Sequence, residues 1–186
     1  MKLNSDFKEL LSILNEAQAR YLVVGGYAVI EYTEPRYTKD LDIWISADRE
    51  NAERVHTALK KFGAPLTDIT VDDFTNPDVV YHMGRPPARV DVLMGLKGLD
   101  FEASWKNRIE SAYADVPTQF ISPQDLIVNK RLAGRPQDLM DVENLLLAEK
   151  RNLSREQSTS EQQQEPTQDE EQKENRIQDR DIKRSR

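Results

Sequence analysis

The sequence predicts an α/β fold of the α+β kind: a short mixed sheet with helices on one side and a helical pair near the C-terminal end. Three observations predict it. An apolar run, Tyr21 to Val24, ends in the pair Gly25-Gly26. Fourteen positions after Gly26 begins Asp40-Leu41-Asp42-Ile43-Trp44-Ile45, two acids set among apolar residues. Further stretches carry apolar residues at helical spacing, capped by Ser, Asn or Asp and stopped by Gly or Pro. Short apolar runs bounded by turn residues read as strands, and a Gly pair after one reads as a tight turn into a helix.

In chain order, Asn4 or Ser5 caps a helix over Asp6 to Ala19, with Phe7, Leu10, Leu11 and Leu14 on one stripe. Tyr21 to Val24 is the first strand. Tyr27 to Tyr32 is a short helix that Pro35 ends, because the residue before proline avoids helical angles. A polar loop, Thr33 to Lys39, leads to a second strand, Asp40 to Ser46. Asp48 or Ser46 caps a helix from Arg49 to Phe62, with Val55, Leu59 and Phe62 inward and Gly63 as its stop. Ala64 to Asp78, kept polar by Asp68, Asp72, Asp73 and Asp78, gives no element signal. Val79 to Met83 and Ala88 to Met94 are strands joined through Gly84-Arg85-Pro86-Pro87. Phe101 to Ile109 reads as helix, and Tyr113 to Phe120 contains a short strand. Ser122 caps a helix with Pro123 at its first position, running to Leu132. After Gly134, Pro136 opens a last helix to Lys150, with Leu139, Val142, Leu145 and Leu146 inward.

Composition divides the chain into a domain, residues 1–150, and a tail, residues 151–186. The last 36 residues hold three aliphatics, Leu153, Ile177 and Ile182, and no aromatic. Such a segment buries too little apolar surface to offset its ordering entropy, so the tail is expected to be disordered. The chain has 186 residues, a formal charge of −7, two histidines and no cysteine. Disulfides and thiolate metal sites are therefore excluded. The acidic balance argues against a sequence-independent nucleic-acid binder. No apolar run approaches the roughly 20 residues of a membrane span. Met1 to Asp6 lacks a signal-peptide core, so a soluble cytoplasmic protein is expected, with no membrane partner.

The chemistry concentrates at the Gly pair and the acids. Alternation puts Asp40 and Asp42 on one face of their strand, with Trp44, and Leu41, Ile43 and Ile45 on the other. Two carboxylates this close repel and raise each other's pKa, a cost that a divalent cation between them removes. Hard oxygen ligands suit Mg²⁺, or Mn²⁺ in its place. The Gly pair leaves backbone N–H groups at a helix N-terminus, where a phosphate can sit. The bland alternative is a solvated strand face and a plain turn. Asp is disfavoured in strands, and the two features together favour metal ligands. Asp91, set between Val90 and Val92, repeats the pattern of an acid inside an apolar strand. Arg36, Thr38 and Lys39 precede the acid pair as candidate phosphate contacts. Trp44 reads as core and His82 as structural. Arg89 reads equally as an ion-pair partner of Asp91.

Gly25-Gly26, the spacer and Asp40-Leu41-Asp42 resemble the signature of the polymerase-β-type nucleotidyltransferases. That family uses a third carboxylate on a neighbouring strand, which Asp91 in Arg89-Val90-Asp91-Val92-Leu93 matches. Ser122 to Lys130 and Gly134 to Val142 resemble the C-terminal helices of its small prokaryotic AbiEii-type branch. The resemblance spans Phe7 to Ala148. It implies a polymerase-β-like nucleotidyltransferase core, with Asp40, Asp42 and Asp91 as catalytic metal ligands. It also implies nucleotide contacts at Gly25, Gly26, Lys130 and Arg135. For Asp138 and Asp141, three apart on one helix face, the helix dipole is an equal explanation.

The expected activity is metal-dependent transfer of a nucleotide from an NTP, ATP among them, to a hydroxyl. Two cations would hold the triphosphate and the incoming hydroxyl, and Asp91 could accept the proton. The AbiEii-type branch implies the toxin of a toxin–antitoxin or phage-defence pair, with an RNA or protein acceptor and an antitoxin protein as partner. The alternatives are a small-molecule, antibiotic-modifying nucleotidyltransferase, or a non-catalytic interaction module that kept the fold.

Overall fold

A computed structural model describes residues 4–162 of the chain. It divides into two compact units, Met1–Leu146 and Leu147–Arg186. The first carries a six-stranded mixed sheet in the order β3-β4-β2-β1-β6-β5.

Helix α1 (Ser5–Glu16) is capped by Asn4, whose side chain accepts from the Asp6 N–H at 2.9 Å. Its buried stripe is Phe7, Leu10, Leu11, Ile13 and Leu14, each worth about 1.5–3 kcal/mol on burial. Strand β1 (Tyr21–Val24) is buried along its whole length and runs straight into helix α2 (Gly25–Tyr32). The helix thus begins on the glycines rather than at Tyr27. Strand β2 (Asp40–Ile45) pairs antiparallel with β1, Val24 standing opposite Asp42. Helix α3 (Arg49–Phe62) has the Asp48 side chain on the Asn51 N–H and ends at Gly63 with φ +88°.

The stretch without a sequence signal holds a 3-10 turn, Asp72–Thr75, around fully buried Phe74. The Phe74 ring meets Tyr81 edge-on at 5.9 Å. One aromatic among acids gives no periodicity to read. Strands β3 (Val80–Met83) and β4 (Arg89–Leu93) form an antiparallel hairpin, and β4 lies parallel to β2.

Three expectations need correction. Helix α4 (Phe101–Lys106) is shorter than read, and Ile109 belongs to strand β5 (Ile109–Tyr113). That strand pairs with β6 (Val116–Phe120) across a two-residue turn, so sheet pairing overrides the local helical pattern. After helix α5 (Pro123–Ala133), helix α6 (Pro136–Gln162) buries Asp138, Asp141, Val142 and Leu145, while Leu139 is 51 % exposed. The inward face turns because two carboxylates on it have buried cationic partners. Helix α6 also continues past the composition break at Arg151. Glu, Gln, Arg and Ser tolerate helix, and no Gly or Pro interrupts before Pro166. The rest of the expected tail, residues 163–186, lies outside the described residues. No helix among the described residues is long and apolar enough to cross a membrane.

Candidate active site

Strand pairing assembles the acids. Asp42 on β2 is the direct partner of Asp91 on β4, and Asp40 is the partner of Arg89. Direct partners in a ladder share a face, so Asp40, Asp42, Asp91 and Arg89 project together. On the opposite face, Leu41 and Ile43 are fully buried. Trp44, on the acid face, is 2 % exposed and meets the Phe101 ring edge-on at 5.1 Å. It is core, as read.

The Gly pair is fitted to this face. Gly25 has φ +60°, and a Cβ there would stand 2.0 Å from Asp42 Oδ2. A Cβ on Gly26 would stand 2.4 Å from Thr38 Oγ1. Only glycine lets the turn, the carboxylate and the loop before β2 approach so closely. The Gly26 N–H, one of the uncapped donors of α2, lies on the side of the Asp42 carboxylate and favours its charged form. Burial pushes the Asp42 pKa up to about 6, with Asp91 and Asp40 adding to the rise against Lys130 and the Gly26 N–H.

Arg89 answers part of the negative charge. Its Nη2 donates to Asp40 Oδ2 at 2.6 Å and to Asp91 Oδ2 at 2.8 Å. The other Asp91 oxygen, Oδ1, lies 2.8 Å from Nδ1 of His82, its register partner on β3. His82 is therefore part of the acid face, not a structural residue apart from it. Counting back along the β3–β4 hairpin from Asp91 would have found it. Among the described residues, no three His, Asp or Glu side chains enclose an ion position as they stand. The Arg89 guanidinium lies between two of the three acids.

A buried ion cluster adjoins the site. Lys130, with 7 % of its side chain exposed, donates to Asp138 Oδ1 at 3.0 Å and Asp141 Oδ2 at 2.8 Å. Arg36 Nη2 reaches the same Asp141 oxygen at 2.8 Å. Arg135 Nε donates to Asp138 Oδ2 at 2.6 Å. Burial raises the Asp138 pKa, but Arg135 and Lys130 outweigh it and hold the carboxyl below its usual range. Asp138 stands in the first turn of α6, where the helix dipole favours it, and both acids also meet these cations. Arg36 also lies beside the Gly turn, its Nη2 3.5 Å from where a Gly26 Cβ would be. Its Nε is buried and unpartnered. Lys39 is exposed, with no ion pair or hydrogen bond among the described residues.

Arg36, Thr38 and the Gly pair thus converge on the acid face. Lys130 acts on Asp42 through charge and is itself bound to Asp138 and Asp141. Arg135 stands at the rim with 75 % of its side chain exposed.

No curated protein matches the chain. Solved structures share its fold, two of them antibiotic-resistance proteins. The crystal structure of lincosamide antibiotic adenylyltransferase LnuA, lincomycin-bound, aligns with TM-score 0.52 and 16 % identity, over 78 % of this chain and 98 % of that one. The solution structure of antibiotic-resistance factor ANT(2'')-Ia aligns with TM-score 0.53 and 12 % identity, over 86 % of this chain and 95 % of that one. At such identities the likeness is one of fold. The family described as nucleotidyltransferase of unknown function (DUF6036) matches residues 1–185, and the chain belongs to that family.

Proposed function

We propose that this chain is an active nucleotidyltransferase that moves a nucleotide from an NTP to a hydroxyl acceptor, with a divalent cation, Mg²⁺ or Mn²⁺, held by Asp40, Asp42 and Asp91. The observation that carries the reading is the register of Asp42 beside Asp91, with Asp40 on the same face, against the Gly25-Gly26 turn. The donor set fits a hard cation. It consists of carboxylates, Asp40 Oδ1 is buried without a hydrogen-bond partner, and burial and neighbouring charge penalise ionised Asp42.

When bound, such a cation lowers the pKa of the attacking hydroxyl and offsets charge on the α-phosphate and the leaving pyrophosphate. The chain's own residues do the rest. The glycine turn admits the polyphosphate close to the backbone, and Arg36 supplies positive charge beside it. Asp91 accepts the hydroxyl proton at a carboxylate oxygen as the oxygen–phosphorus bond forms and the bond to pyrophosphate breaks. Lys130, fixed by Asp138 and Asp141, sets the potential at Asp42 without leaving its partners. Positioning and preorganised charge carry the acceleration.

For the acceptor, the resemblance at Ser122 to Lys130 and Gly134 to Val142 supports an RNA end or a protein hydroxyl, in a toxin partnered by an antitoxin protein. A small hydroxylated compound is the second reading, favoured by the antibiotic adenylyltransferase fold of LnuA. The test offers each α-labelled NTP with Mg²⁺ or Mn²⁺ to pooled RNA, to cell protein and to a panel of hydroxylated antibiotics. Label on RNA or protein supports the toxin reading, and label on a compound supports the other. Nucleotide binding without transfer to any of them would favour a non-catalytic module.

A further inference from the structure

The acid face carries its own cation. Both oxygens of Asp91 are engaged, Oδ1 with His82 Nδ1 and Oδ2 with Arg89 Nη2, each at 2.8 Å. The same Arg89 nitrogen spans to Asp40 Oδ2 at 2.6 Å. Two of the three proposed cation ligands are thus occupied by one guanidinium. The arrangement is not saturated, because Arg89 Nε and Asp40 Oδ1 are both buried and unpartnered. Arg89 is also not walled in, with 37 % of its side chain exposed.

A dication entering beside Arg89 would meet a like charge at close range. Guanidinium does not deprotonate in proteins, so Arg89 can yield only by moving. Moving costs its two carboxylate bonds unless new acceptors appear. Phosphate oxygens match the guanidinium fork better than single carboxylate oxygens do.

We propose that Arg89 is a counter-ion latch: it competes with the divalent cation for Asp40 Oδ2 and Asp91 Oδ2, and turns to the phosphates of an incoming nucleotide. The proposal rests on reading this face as the cation site. Its consequence is reciprocal coupling. Cation binding is weak in the free protein and tightens with nucleotide, because the nucleotide takes over the latch. A strap that merely joined β2 to β4 would behave oppositely, since its loss would scatter the carboxylates and weaken cation binding.

The experiment titrates Mn²⁺ into the full chain, following free Mn²⁺ by electron paramagnetic resonance. It is run with and without the α,β-methylene analogues of ATP, GTP, CTP and UTP, subtracting each analogue's own Mn²⁺ binding. Arg89→Gln should bind Mn²⁺ more tightly than the unaltered chain in the absence of nucleotide, by about 5- to 150-fold, the usual range of such couplings. An analogue should tighten Mn²⁺ binding to the unaltered chain by a similar factor and leave Arg89→Gln nearly unchanged. Arg89→Lys, which keeps a cation without the fork, should fall between, and it carries the comparison if circular dichroism shows Arg89→Gln unfolded. Equal or weaker Mn²⁺ binding by Arg89→Gln, or coupling that survives in it, overturns the latch while the cation site stands. If no form binds Mn²⁺, the cation-site reading falls and the latch with it.

Discussion

Replacing Asp42 with Asn removes a charge that burial and two neighbouring carboxylates penalise. Burial, with Asp91 and Asp40 nearby, places the Asp42 pKa at about 6, against 3.8 for a free side chain. The folded state therefore holds the proton more tightly than the unfolded state does. Below about pH 4 both states are protonated and no penalty exists. As pH rises from about 4 to about 6, the unfolded chain releases its proton first and stability falls. Above that window the full penalty stands, about 3 kcal/mol at about 1.4 kcal/mol per pH unit. Asn cannot ionise, and its side-chain oxygen keeps an acceptor for the Gly26 N–H. Asp42→Asn should thus be more stable than the unaltered chain by up to about 3 kcal/mol at pH 7.5 in EDTA, and nearly equal to it at pH 4. Urea unfolding at the two pH values measures this directly. A stability difference that is the same at both, or a loss at pH 7.5, would refute the argument from crowded, buried charge.

Other outcomes follow from the same geometry. Gly25→Ala forces a side chain onto a positive φ and against Asp42 Oδ2, so it should lower stability by more than about 1 kcal/mol and weaken Mn²⁺ binding, read by melting and titration. Asp141→Ala takes from Arg36 its carboxylate partner and from buried Lys130 one of its two, and chemical denaturation should show a loss of about 3–5 kcal/mol, with Asp141→Asn losing less. Truncation after Gln162 should move the melting temperature by less than about 5 °C, since the buried hydrophobic residues of the described chain all lie in Met1–Leu146.

The strands that carry the site were legible because their signals are local. Tyr21 to Val24 and Asp40 to Ile45 are short apolar runs bounded by glycine or loop, and Asp91 betrays itself as an acid between valines. Cap residues fixed α1, α3 and α5 for the same reason. What escaped was pairing at a distance. His82 looked structural because its partner lies nine residues on, across a hairpin whose register is not written in either strand alone. Ile109 read as the end of a helix, and Glu110 to Ala112 as nothing, because only the partner strand Val116–Phe120 makes the stretch β. Leu139 looked inward because apolar periodicity ignores buried acids. Asp138 and Asp141 could be placed inside only by knowing that Lys130 and Arg36 arrive to meet them. Lys130 itself was legible as a site residue, but its bonds to those two acids were not.

The acid face is proposed to perform cation-dependent nucleotidyl transfer. The most direct measurement is release of pyrophosphate, with label moving from an α-³²P NTP to acceptor, comparing the unaltered chain with Asp42→Asn and Asp91→Asn. The comparison uses pooled RNA, cell protein and hydroxylated compounds, with Mg²⁺ and in EDTA, after confirming that each variant is folded. Transfer by the unaltered chain is expected with Mg²⁺ alone, with a loss of at least about a hundredfold in each variant, as for removal of a group that stabilises the transition state. Transfer that persists undiminished in both variants, or in EDTA, would contradict it.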